Sequence, residues 1–418
     1  MFRILPSATL LAAAAVLPSL QASAGTLTTL NTFNNTNGAK PLGNLIFDSA
    51  DNLYGTTSEG GPGSGVGTVF QLTPPPAGQT AWTANILTTF HGYGSDPTAG
   101  LIFDSAGNLY GTTSTGGAAG GENYGTVFEL SPPAAGQTGW TTTILFSCDG
   151  NTTSFPQGNL IFDSAGKLYG TTQYGLGTQG AGSSGDGTVF ELTPPGAGQT
   201  AWTPSILASF NGPNGSEPLG SLIFDGAGNL YGITSRGGPS GDGTVFELSP
   251  PAAGQTAWTE SVLTTFNGTN GSLPFGSLVF DAAGKLYGTT LAGGAHNDGT
   301  VFELSPPAPG QTTWTESVIY SFKGKVGNQP RGSLILDSAG DLYGTTFKGG
   351  LSAHGAVFEL TPPAAGERKW TETDLTAFNK TNGEEPAGSL IFDKTGNLYG
   401  TASAGGAHNA GTVFEVTP

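Results

Sequence analysis

The sequence predicts an all-β fold, a seven-bladed β-propeller with four antiparallel strands per blade. Three observations predict it. The phrase "DSAGNLYGTTS" (Asp104 to Ser114) has near-copies beginning at Asp48, Asp163, Asp225, Asp281, Asp337 and Asp393. Each copy sits in a unit of about 56 residues, the size expected of a propeller, a solenoid or an array. Each unit carries four apolar runs separated by Gly, Pro, Asn and Ser, and none has a helical period.

In one unit the runs are "GSLIFD" (Gly220 to Asp225), "LYGITS" (Leu230 to Ser235), "GTVFELS" (Gly243 to Ser249) and "WTESVLTTF" (Trp258 to Phe266). All are rich in β-branched and aromatic residues, as strands are. Four strands per unit and seven units match a propeller. A β-solenoid has shorter rungs and needs capping ends. The ends of the chain complete the pattern. The last unit stops after its third run, "GTVFEV" (Gly411 to Val416), whereas "TLTTLNTF" (Thr26 to Phe33) resembles a fourth run without its tryptophan. Residues 26–33 are therefore expected to join the last blade and close the ring, covering an edge that would otherwise be open.

Residues 1–24 read as a secretory signal peptide. Arg3 precedes the apolar "LLAAAAVL", and "ASA" (Ala22 to Ala24) fits a cleavage site. The apolar run is too short to span a membrane. A single propeller domain over residues 25–418 follows, and no sorting tail is seen after "VFEVTP". The expected product is a soluble monomer, secreted, periplasmic or at the cell surface. A formal net charge of -17 with only 10% charged residues gives an acidic, sparsely charged surface. That argues against nucleic acid and anionic membranes, which require basic patches. The lone cysteine, Cys148, occupies a slot filled by Phe90, Phe210, Phe266, Phe322 and Phe378 in other units, and reads as buried filler.

The repeat "GxLIFDxxGNLYGTTxxGG…GTVFELxPPAxGxTxWTxxxLxxF" resembles the GloVer tandem-repeat family over the whole mature chain. The resemblance implies an exported bacterial protein and no particular activity. Family members carry varied C-terminal anchors, which this chain lacks in recognisable form. More loosely, "FDSAGNLYGTT" resembles the repeat of sensor propellers of two-component regulators, a likeness of scaffold only.

The recurring residues read as structural parts. Asp104 can bond its own following backbone and set a turn, and Gly107 can supply the positive φ of a short hairpin. Leu109 and Tyr110 point to opposite sides of a strand, where both sides face neighbouring blades. Gly111 leaves room for close approach. The "PPAAGQT" stretches read as stiff outer connections. The six tryptophans (Trp82, Trp140, Trp202, Trp258, Trp314, Trp370) read as blade-edge anchors, with exposed sugar-stacking as the alternative.

Variation between copies marks the candidate binding face. From the LYG leucine to the third-run glycine the distances are 14, 16, 19, 13, 13, 13 and 13, whereas glycine to tryptophan is always 15. The 2–3 loops and 4–1 connections of alternating strands share one face, and variable loops on a rigid scaffold are where recognition sits. Candidate segments are Glu59 to Val66, Thr115 to Tyr124, Gln173 to Asp186, Arg236 to Asp242, Ala292 to Asp298, Lys348 to His354 and Ala404 to Ala410. The position before the third-run glycine is Val66, Tyr124, Asp186, Asp242, Asp298, His354 and Ala410, a mixed set at one geometric place. Asp-Gly pairs also make tight turns, which is the competing reading. Candidate ligand-binding residues are Glu59, Tyr124, Asp186, Arg236, Asp242, His296, Asp298, Lys348, His354 and His408. No metal site and no cofactor are expected, although "GGPSGDG" (Gly237 to Gly243) leaves a calcium reading open.

The function expected is a non-enzymatic binding or scaffold protein for a glycan, a peptide or an envelope protein. One alternative is a propeller enzyme of lyase or glycosidase type with its site at the channel mouth. A glycosidase needs two convergent carboxylates, and the face shows scattered single ones, Glu59, Asp96, Glu122 and Glu217. The other alternative is a structural spacer or adhesin.

Overall fold

The computed structural model describes residues 25–63, 65–92, 94–117, 123–175, 185–324, 327–364 and 366–418. Residues 1–24, which the sequence reads as a leader, Glu122 and the middle of the two longest loops lie outside the described residues. The protein is a ring of seven four-stranded antiparallel blades. Blade 4 runs from the axis outward as Ile223–Phe224, Leu230–Thr234, Thr244–Ser249 and Thr259–Thr265. In blade 7 the outer strand is Thr26–Thr32, which pairs antiparallel with the C-terminal strand Thr412–Thr417. The ring is therefore closed by the N-terminal strand.

Two details depart from the sequence reading. Each tryptophan lies just outside the fourth strand, which begins at the following threonine. The first strand also reaches further upstream. In blade 5 it is continuous over Ser272–Phe280, whereas blades 3, 6 and 7 break it into an upper piece (Ser154–Pro156, Asn328–Pro330, Glu384–Pro386) and a two-residue lower piece.

Seven apolar clusters hold the ring, one at each joint. Leu109 belongs to the cluster between blades 1 and 2, and its neighbour Tyr110 to the one between blades 2 and 3. Strand alternation thus ties each blade to both neighbours. A Cβ on Gly111 would lie 2.7 Å from Cζ of Phe128, so only glycine lets that ring cross the second strand. The tryptophans pack edge-on to a tyrosine of the preceding blade, as Trp140 does on Tyr54 and Trp82 on Tyr399 across the closure. Fully buried side chains such as Leu109 and Phe128 contribute about 1.5–3 kcal/mol each.

The repeated aspartate is a hairpin clamp. Asp104 Oδ1 accepts the N–H groups of Ala106 and Asn108, and Oδ2 accepts the Asn108 amide and the Tyr110 hydroxyl. Gly107 has φ 86°. Burial alone would raise the Asp104 pKa, but the hydrogen bonds from Asn108, Ala106 and Tyr110 outweigh it and hold the carboxyl below its ordinary value. Cys148 is 2% exposed, and burial pushes its thiol up to about 12, which leaves it inert.

Blade 6 carries one departure with a pH consequence. Asp374, opposite Phe358, takes the position held by Ile86, Ile144, Ile206, Val262 and Val318 in blades 1–5. Glu372 beside it has no amide partner like Asn214 and Asn270, which donate to Glu260 and Glu316. Burial, then the Asp374 charge, push Glu372 up to about 7 against the Tyr320 hydroxyl bond, and burial raises Asp374 also. An acid whose folded pKa exceeds its unfolded value binds its proton more tightly when folded. Stability should therefore fall as pH rises from about 4.5 to about 7. Asp374→Val should raise the melting temperature more at pH 8 than at pH 5, read by calorimetry. An equal gain at both values would show that the pair does not titrate there.

Candidate functional site

The face bearing the 2–3 loops and 4–1 connections is zipped together within each blade. Residue pairs Ala39–Glu59, Ser95–Thr115 and Ser216–Arg236 form isolated antiparallel bridges between the two loops. At the inner rim each blade places one residue before a proline in the left-handed region. These are Lys40, Asp96, Phe155, Glu217, Leu273, Gln329 and Glu385, with φ from 51° to 57°. A residue before proline is ordinarily extended, and a non-glycine residue held at positive φ costs about 1–3 kcal/mol.

Neighbouring blades hold that conformation. The N–H of each residue donates to the carbonyl of the residue before the third-strand glycine in the preceding blade. Phe155 N–H reaches Tyr124 at 2.7 Å, Glu217 reaches Asp186 at 2.8 Å and Glu385 reaches His354 at 3.0 Å. The following proline abuts that glycine, so a Cβ on Gly243 would lie 2.5 Å from Cδ of Pro274. The mixed set singled out in the sequence thus stands beside a second mixed set that spacing did not reveal.

The candidate residues divide by what they touch. Asp186 accepts the Ser216 hydroxyl at 2.8 Å, Asp242 accepts that of Ser272, and Asp298 accepts the Gly324 N–H at 2.9 Å. The side chains of these Asp-Gly pairs therefore clasp the next blade rather than only shaping a local turn. Glu59 pairs with Lys40 at 2.6 Å, and His354 Nδ1 lies 2.7 Å from Glu384 across the joint of blades 6 and 7. Lys348, His296 and His408 are exposed. Among the described residues no three His, Cys, Asp or Glu side chains converge on a common point.

Blades 2 to 4 hold the most connected patch. Tyr124, Phe155 and Tyr174 form an edge-to-face ladder with ring centroids 6.4 and 5.9 Å apart. Tyr124 is 37% exposed. Beside the ladder the Gln157 amide donates to Gln173 at 2.6 Å, Gln173 donates to Glu217 at 3.4 Å, and Arg236 Nε lies 3.3 Å from Glu217. Gln173 also donates to the Tyr174 hydroxyl at 3.0 Å. Burial, then the Glu217 charge, raise the Tyr174 pKa, with Arg236 opposing. The sequence pointed to Tyr124 and Arg236 in this group. Gln173 and Tyr174 lie in the variable segment Gln173 to Asp186, whereas Phe155 and Gln157 were missed, although each differs in type from its counterparts in neighbouring copies.

On the axis, one residue per blade forms a belt. Asn159 N–H donates to Ser221 Oγ (2.8 Å), Ser221 to Ser277 (3.0 Å), Ser277 to Ser333 (2.7 Å) and Ser333 to Ser389 (2.8 Å). Ser389 donates to the Asn44 side-chain oxygen (2.8 Å) and Gly100 to that of Asn159 (2.7 Å). Gly100 has no side chain, so the link from Asn44 to blade 2 is not made. The belt encloses a cavity of about 70 Å³, small against the several hundred Å³ of a usual small-molecule pocket. A roomier concavity of about 520 Å³ lies on the opposite face between blades 7 and 1, lined by Phe47, Trp82, Phe392 and Tyr399. Its aromatic set recurs at other joints (Tyr54, Phe103 and Trp140 among them), which marks it as joint architecture.

A family model for the Gloeobacter/Verrucomicrobia repeat matches residues 12–177, 80–279, 135–317 and 254–418. No curated protein matches the chain. Among solved structures, a candidate 6-phosphogluconolactonase from Bacteroides uniformis ATCC 8492 is 14% identical, with a TM-score of 0.50 over 80% of this chain and 84% of that one. The periplasmic gluconolactonase of Pseudomonas aeruginosa is 15% identical, with a TM-score of 0.47 over 85% and 93%. At such identities the likeness concerns the fold alone. With four overlapping matches across seven equivalent blades, the chain belongs to the Gloeobacter/Verrucomicrobia repeat family.

Proposed function

We propose that this protein is an exported binding module that recognises a glycan on its variable-loop face, with blades 2 to 4 making the central contacts. One observation carries the reading. Seven rim positions share one costly backbone conformation yet carry Lys, Asp, Phe, Leu, Gln and twice Glu. A scaffold that holds geometry constant while side chains vary presents a surface for recognition. The opposite face repeats its aspartate in every copy.

The chemistry of the patch favours a saccharide. Half-exposed Tyr124, Phe155 and Tyr174 offer flat apolar faces to sugar C–H groups. Gln157, Gln173, Glu217 and Arg236 alongside offer planar donors and acceptors to vicinal hydroxyls. The axial cavity is too small to engulf a sugar, so contact spreads over the rim and suits a chain rather than a metabolite. Export rests on the leader-like residues 1–24.

A glycan array followed by titration calorimetry tests this. Tyr174→Ala and Arg236→Ala should each weaken binding about tenfold or more, a loss of ~1.4 kcal/mol. Lys394→Ala on the opposite face should leave affinity unchanged. Absence of binding to every glycan, or equal losses in all three variants, would overturn the proposal.

A further inference from the structure

The belt has a polarity that leaves donors over. Ser221, Ser277, Ser333 and Ser389 each use a hydroxyl oxygen to accept a backbone N–H, and none donates its own hydrogen among the described residues. The side-chain oxygens of Asn44 and Asn159 are used in the same way, while their NH₂ groups make no hydrogen bond there. Three carbonyls at this level, those of Gly43, Ala99 and Gly220, accept the hydroxyls of Thr401, Thr56 and Thr171.

One charged side chain lines the same cavity, Arg331. Its guanidinium lies 4.0 Å from the Phe347 ring centroid and 5.7 Å from that of Phe275. Its buried Nε has no partner, and it forms no ion pair among the described residues. Guanidinium stays charged in proteins, and a buried, unpaired donor on a cation is costly. Arg331 follows Pro330 in the first strand, so it stands just inside the rim at Gln329.

We propose that the axial cavity is a small-anion site, of halide or formate size, in which Arg331 supplies the charge and the belt hydroxyls and amides supply hydrogen bonds. The surplus of donors, the missing acceptor at Nε and the cavity of about 70 Å³ agree on an anion of that size. The site is separate from the glycan reading of the rim, and neither depends on the other.

Thermal melting of the full chain tests it, in sodium chloride, bromide or formate against gluconate at one ionic strength. An anion that binds only the folded state raises the melting temperature with its concentration. The small anions should raise it by several degrees and saturate, whereas gluconate, too large for the cavity, should not. Arg331→Gln should abolish the saturating rise, and Arg331→Lys should keep a weaker one. Bromide soaked into crystals should give an anomalous peak beside Arg331. An unchanged rise in Arg331→Gln, a response that never saturates, or bromide absent from the axis would overturn the proposal.

Discussion

Deleting residues 26–33 is expected to lower the apparent melting temperature by more than 10 °C and to produce oligomers on size-exclusion chromatography, a shift that only the loss of several buried side chains gives. The deleted strand supplies Phe33, which is 1% exposed and meets Phe70 of blade 1 at 5.1 Å, together with the partly buried Leu27 and Leu30. Truncating a phenylalanine in such a place costs about 3–5 kcal/mol by itself. The backbone loss adds to it, because Thr412–Thr417 would become an open edge beside Val413, Phe414 and Val416, a template for pairing with another chain. The closing strand is also the one without a tryptophan. Gly25 holds that slot, and Tyr343 meets Phe392 with no indole beside it. Strand pairing therefore carries more of the closure at the joint of blades 6 and 7. Transferring residues 25–33 to follow Pro418 should restore melting, since the same strand then reaches the same edge from the other end. Unchanged melting and a monomeric peak after deletion would show that the ring does not need this strand.

The blades were legible because their signals are local and written seven times. Alternating apolar residues, a hairpin aspartate and a glycine at positive φ are readable within ten residues of sequence. The rim and the belt were not. Ser221 or Asn44 before a strand looks like turn punctuation, and its bond to the next blade exists only once the ring is closed. The residue before proline was misleading in itself, because proline favours an extended neighbour, and here the carbonyl of the preceding blade overrides that preference. Loop length pointed to the face that carries the aromatic patch but to only part of that patch. Residue type compared copy by copy would have gone further. It separates Phe155, Arg331 and Asp374 from their counterparts without any structure.

The innermost ring of glycines gives the second large effect. Gly43, Gly158, Gly220, Gly276, Gly332 and Gly388 bring the first strands close enough for the belt to form. A Cβ on Gly220 would fall on the Gly276 carbonyl oxygen, deep inside van der Waals contact, and 2.9 Å from Cγ1 of Ile233. Neither a side-chain rotation nor a local turn can absorb it, because the obstacle is the backbone of the next blade. Gly220→Ala should therefore destabilise by about 3 kcal/mol or more, the upper range for overpacking, and lower melting by several degrees. Gly226→Ala is the matched control. It sits in the hairpin between the first and second strands of blade 4 with no atom within 4 Å of its Cβ, and should change stability by no more than about 0.5 kcal/mol. Blade 2 shows the compensation that the ring requires. Ala99 holds the position of these glycines, and in the same blade the belt residue becomes Gly100, so the side chain lost at one position is gained at the next. The added methyl and the missing belt link thus occur together, at the joint of blades 1 and 2. Gly220→Ala combined with Ser221→Gly copies that arrangement into blade 4. If crowding at the axis is what the exchange relieves, calorimetry should find the double variant more stable than Gly220→Ala alone. A double variant less stable than the single would show that the belt bond matters more than the space it occupies.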